Sequence, residues 1–175
     1  MSYTNRGNWP PGGNRHMPST PSSQQSRQIA GGQHRSYIEI PSLDLNYLKG
    51  TYFDSEKRIK CELLTSEADR LAKLFKDSNV NYAQVRRFFA AVRAIDRDLE
   101  IHTYNQLQPQ IQALKNKAAY FVGRGQGDRD KRGRENLKTF IDANVNLSMN
   151  SKESFQKGFV PHFEAVIAYL RYYKP

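Results

Sequence analysis

The sequence predicts an all-α fold, a compact bundle of about five helices behind a disordered N-terminal tail. Two observations predict it. Through most of residues 54–173 apolar side chains recur three and four positions apart, and no alternating run is long enough to demand a sheet. The first 36 residues lack that periodicity and are rich in Gly, Pro, Ser, Asn and Gln. They hold four of the eight prolines (Pro10, Pro11, Pro18, Pro21), and no acidic residue precedes Glu39. Such a segment buries too little apolar surface to offset its ordering entropy. The expected organisation is a mildly cationic disordered tail over residues 1–36 and one helical domain over 37–175.

Each element has its own signal. Tyr37 to Pro41 reads as a short extended piece, and Leu43, Leu45, Tyr47 and Leu48 can pack on a core or on a neighbouring subunit. Ile59, Leu63 and Leu64 sit at helical spacing within 54–64. Thr65 or Ser66 resembles an N-cap, and Leu71, Leu74 and Phe75 form one helix face closed by Asp77-Ser78-Asn79. Residues 81–99 carry Val85, Phe88, Phe89, Val92, Ile95 and Leu99 on one broad stripe. On a different face Arg86, Arg93 and Arg97 fall within about 40° of one another, with Arg87 one step around. Leu107, Ile111, Leu114, Ala118 and Phe121 predict a helix over about 104–123, with Pro109 in its first turn. Arg124 to Arg134 reads as a basic, glycine-broken loop. The next helix carries Leu137, Phe140, Ile141, Val145 and Leu147. A final one over 152–173 follows the plausible cap Ser151, with Pro161 either kinking it or marking its start.

Charge narrows the function. Lys and Arg total 27 against 17 Asp and Glu, a formal net charge of +10. That excess favours a polyanionic partner, most commonly nucleic acid, with an anionic membrane surface as the other candidate. No run approaches the roughly 18 apolar residues a spanning helix needs, and no apolar signal-peptide core opens the chain. No membrane association is expected, and the cytosol is the expected location. The single Cys61 excludes an intramolecular disulfide and is expected to be a buried or inert thiol.

Catalytic and cofactor signatures are weak. Gly123, Gly125 and Gly127 do not match a P-loop, which needs Gly-Lys-Ser/Thr opening a helix. His16, His34, His102 and His162 show no metal-ligand spacing, so no metal and no cofactor are expected. Glu100 and Glu164 are candidates for hydrogen bonds or salt bridges at the core edge. Arg97 and His102 have the Arg-x4-His spacing of the HEPN class of helical ribonucleases. In that reading His102 is the acid/base and Arg97 stabilises the phosphate. A helical protein-interaction module is a third reading.

Three blocks, in order, carry a resemblance: Tyr82-Ala-Gln-Val-Arg-Arg-Phe-Phe89 continuing to Ile95, Leu114-Lys-Asn-Lys-Ala-Ala-Tyr-Phe-Val-Gly-Arg124, and Phe163-Glu-Ala-Val-Ile-Ala-Tyr-Leu-Arg-Tyr-Tyr173. Across residues 65–175 the chain resembles the small subunit of type III-A CRISPR–Cas Csm effector complexes. Asn116 stands where proline is common in that family, and the tail and the 125–134 segment depart from its pattern. The type III-B small subunit, also helical and basic, is less similar at the Gly-Arg of 123–124 and at the Tyr-rich C-terminal helix. The resemblance implies a non-enzymatic subunit that self-associates into a short filament. Its implied partners are crRNA, target RNA, the backbone subunit and the Palm-domain large subunit, in antiviral defence. The expected RNA-binding residues are Arg86, Arg87, Arg93 and Arg97 as one patch, and Lys115, Lys117 and Arg124 as a second. Lys131, Arg132 and Arg134 form a third, mobile patch.

Overall fold

The computed structural model describes residues 41–44, 48 and 50–173. The predicted tail, the extended piece before Pro41, and Leu45 and Tyr47 lie outside the described residues. The described chain is all-α: α1 (Cys61–Leu64), α2 (Ser66–Asp77), α3 (Tyr82–Asp98), α4 (Tyr104–Gly123), α5 (Asp128–Ser148), a π-helical segment (Ser154–Phe159) and α6 (Val160–Tyr172). Helix α6 packs against α1, α2 and α3, while α5 packs against α4, α2 and the π segment.

The helix ends follow from local chemistry. Asn81 and Gln84 form a reciprocal capping box at α3, with Gln84 N–H donating to Asn81 Oδ1 and Asn81 N–H to Gln84 Oε1, both at 2.9 Å. At α4 the Gln106 side chain accepts from the Thr103 N–H at 2.9 Å. Asn79, at φ 63°, takes the left-handed position that ends α2. The Ser151 hydroxyl accepts from the Ser154 N–H at 3.0 Å, so the predicted cap is present.

Four local expectations are corrected. Residues 54–60 do not continue a helix. Asp54 Oδ1 accepts the N–H groups of Glu56 and Arg58 at 2.8 and 3.0 Å, and Phe53 pairs with Ile59 across the turn. Thr65 does not cap α2 with its side chain, because its hydroxyl donates back to the Cys61 carbonyl at 2.9 Å. Pro109 lies one turn deeper in α4 than expected, since the helix already starts at Tyr104. The basic 124–134 segment is a loop only to Gly127; α5 begins at Asp128. Asp128 and Asp130 in its first turn complement the positive helix end, which favours starting the helix there.

The core is aromatic. Phe140 meets Phe75, Phe159 and Phe163 edge-on, at centroid distances of 5.8, 6.4 and 4.9 Å. His162 is buried among them, and its Nδ1 lies 2.6 Å from the Leu63 carbonyl. A carbonyl only accepts, so the neutral ring carries its proton on Nδ1. Burial pushes its pKa down to about 4.

Helix α5 also anchors the segment before α1. Asn136 accepts from Leu43 N–H at 2.9 Å and donates to the Pro41 carbonyl at 3.0 Å. Tyr52, fully buried, donates its hydroxyl to Asn144 Oδ1 at 2.9 Å. Its ring lies flat on Gly158, where an added Cβ would come within 2.3 Å of it. The π segment stops just before Pro161, whose ring removes a backbone donor.

Candidate nucleic-acid interface

Helix α3 turns Val85, Phe88, Val92 and Ile95 into the core. Its opposite face therefore points to solvent, and Arg86, Arg93 and Arg97 run along that face over about 16 Å. Arg86, Arg87 and Arg97 are exposed, and none has an ion-pair partner among the described residues. Arg93 differs: it donates to Asp96 at 2.9 Å, and Asp96 accepts from Gln156 of the π segment at 3.2 Å. Asp96 thus ties α3 to the C-terminal segment, and Arg93 pairs with it from within α3.

At the start of α3 the ridge widens into an open groove of about 610 Å³, lined by Tyr82, Ala83, Arg86, Arg87, Ala90 and Arg171. Ala83 and Ala90 leave the space. Arg171, from the last turn of α6, lies over the Tyr82 ring at 5.5 Å. Three guanidiniums thus converge from two helices. Arg171 and Tyr82 were not among the residues expected from the sequence to bind RNA. The two positions are far apart in the chain and meet only because α3 packs on α6. The available signal was an arginine on the solvent side of an apolar C-terminal helix.

The second expected patch divides. Lys117 and Arg124 share a face of the α4 C-terminal end, and Arg124 lies 5.8 Å from the Tyr120 ring. Lys115 is on the other side, bonded to Asn146 of α5.

The third patch lies on helix α5 and not in a loop. Arg134 has a side chain only 15% exposed. It donates to Asp130 at 3.0 Å and to the Phe121 carbonyl at 2.9 Å, and stacks on Phe121 at 4.4 Å. The Arg134 hydrogen bond holds the Asp130 carboxyl below the usual carboxylate range. Arg129 donates to the Asp77 carbonyl at 3.0 Å, and Arg132 reaches the Ser42 hydroxyl at 3.4 Å. Lys131 is exposed.

The other chemistry considered from sequence is placed as follows. Arg97 is in the last turn of α3, while His102 is exposed beyond the helix end, its N–H bonded to the Asp98 carbonyl at 2.8 Å. Glu100 and Glu164 are exposed, outside the core edge. Cys61 is free and exposed, so of the two expected readings, buried or inert, burial does not hold. Among the described residues no group of three or more His, Cys, Asp or Glu could hold a metal, and no helix is long and apolar enough to cross a membrane.

A helical domain whose solvent face carries unpaired guanidiniums beside tyrosines has the chemistry of a polyanion-binding module. Comparison with protein families gives that class a name: residues 58–175 match the family described as Csm2 Type III-A. The chain belongs to this family, the small subunit of the Csm complex. Membership implies other Csm subunits and crRNA as its companions in that complex. No curated protein and no solved structure gave a significant match.

Proposed function

We propose that this chain is a non-catalytic, RNA-binding structural subunit of the type III-A interference complex. In this reading several copies stack as a short filament along the channel where crRNA pairs with target RNA, in the cytosol. The helical domain from residue 37 onward grips the RNA sugar–phosphate backbone. The observation that carries the reading is the outer face of α3. Arg86, Arg87 and Arg97 stand there without a carboxylate to neutralise them, and Arg171 joins them across the groove.

Guanidinium forks engage phosphate oxygens and do not read sequence. That suits a subunit repeated along a duplex of any sequence. Weak binding by each copy is sufficient, because copies stacked on one strand supply avidity. Lys117, Arg124 and Lys131 extend the cationic surface. Arg93 and Lys115 keep part of their charge for RNA, while Arg134 acts mainly within the fold.

The test is RNA binding by the full chain and by its assembled complex across a salt series. Reversing Arg86 and Arg97 together should weaken binding and flatten its salt dependence with the melting temperature unchanged. Unchanged affinity and slope would remove this face from the interface. Cleavage of free RNA that His102→Ala abolishes would replace the reading with a ribonuclease.

A further inference from the structure

We infer that the C-terminal end of α4 carries a base-stacking platform, with Tyr120 as the stacking ring and Lys117 and Arg124 gripping the flanking phosphates. The inference rests on the RNA-binding reading and adds a contact to the nucleobase, which a pure backbone grip lacks.

Tyr120 is 68% exposed, one of three large hydrophobic side chains so exposed among the described residues. On a helix its neighbours are the positions three and four away. Those positions hold Asn116, Lys117, Gly123 and Arg124, and none of them is a large apolar side chain. A protein interface is built around a contiguous apolar centre depleted of charge. This ring is isolated between cations instead. Its hydroxyl has no hydrogen-bond partner among the described residues, and the ring's exposed area is left to a partner.

The surroundings are open on the side a strand would approach. Arg124 lies over the ring, 5.8 Å from its centroid, so an incoming base would take the opposite face. A Cβ built on Gly123 would meet nothing within 4 Å, and the same holds at Gly127. The bare backbone of this turn therefore leaves room beside the ring. Gly125 is different: a Cβ there would come within 3.1 Å of the Val122 carbonyl and 3.2 Å of Lys131 Cα. The turn is thus held closely against the start of α5, which gives the platform a firm base. An aromatic ring between cations is the arrangement on which unpaired bases stack, and it tolerates any base because every base has a π-face.

The experiment measures binding of the full chain to a single-stranded RNA carrying 2-aminopurine, and to the same RNA with abasic positions. The wild-type chain should quench the fluorophore and lose about tenfold in affinity for the abasic strand. Tyr120→Ala should lose both the quench and the discrimination while keeping its salt dependence, and Tyr120→Phe should restore both. Equal wild-type binding to intact and abasic RNA, or a quench that survives Tyr120→Ala, overturns the platform and leaves the α3 grip standing. If neither the chain nor its assembled complex binds RNA, both readings fall together. If Tyr120→Ala instead releases a neighbouring subunit with the quench intact, the ring belongs to a protein contact and the inference is wrong.

Discussion

Two arginine-rich stretches, residues 86–97 and 124–134, look alike in the sequence and differ in the folded chain. In the first, Arg86, Arg87 and Arg97 project into solvent from a helix whose other face is core. In the second, Arg129, Arg132 and Arg134 each donate to an oxygen elsewhere in the fold. They join α5 to the end of α2, to the segment before α1 and to α4. The difference teaches that a run of positive charge is not by itself an interface. What counts is whether each guanidinium already has acceptors within the protein.

The largest effect that would sharpen the comparison is at Gly133, inside the second stretch. A Cβ there would lie 2.1 Å from the Ser78 carbonyl oxygen. Backbone cannot yield as a flexible side chain does, so α2 and α5 must part. Gly133→Ala should cost about 3 kcal/mol, the upper range for overpacking, and outweigh the helix-propensity gain. Chemical denaturation of the full chain reads this, and a neutral result would break the assignment of this stretch to the fold.

Next in size is the double reversal Arg86→Glu with Arg97→Glu. RNA affinity at low salt should fall by about thirtyfold, with the stability of the chain unchanged. Melting and binding measured on the same preparation separate the two readouts. A fall in stability as large as the fall in affinity would mean that the two stretches do not differ as described.

Arg134→Met should show the reverse pattern. It removes the donor to the Phe121 carbonyl and the stacking on that ring, and keeps much of the apolar stem. A loss of about 1.5 kcal/mol in stability is expected, with only a small change in RNA affinity. A large affinity loss without destabilisation would return this residue to the interface.

The smallest effect concerns acid. His162 is held neutral, its pKa down to about 4 from 6.5. Below the unfolded value the unfolded chain binds the extra proton and the folded chain does not, so stability falls as pH drops through that window. Between about pH 7 and about pH 5.5 the loss should be about 1 kcal/mol, and His162→Gln should abolish that dependence. RNA binding compared across pH must therefore be corrected for folded fraction before the two stretches are contrasted.

Much of this architecture was legible locally. The 3.6-residue periodicity of Val85, Phe88, Val92 and Ile95 both placed α3 and oriented its arginines outward, because a helix has only two sides to distribute. The cap at Ser151 was written in a side chain next to the backbone it bonds. The errors fell where a residue's partner is distant or its role ambiguous. Asp128 and Asp130 among the arginines looked like loop residues, yet they favour a helix start. Ile59 sits at helical spacing, but Asp54 captures the local N–H groups first. Asn136 and Asn144, polar residues inside a helix, gave no hint that they anchor Pro41, Leu43 and Tyr52.

The sequence by itself determined that this chain is helical, cationic and similar to the small subunit of the Csm complex. Those properties depend on periodicity, composition and the order of short motifs, all of which are local. Only the tertiary structure decided which arginines are available to a partner. It carried Arg171 to Arg86 and Arg87, bonded Arg134 to the Phe121 carbonyl and left Tyr120 exposed. Whether a charge has an acceptor within the protein depends on which helices pack together, and that packing brings together positions far apart in the chain.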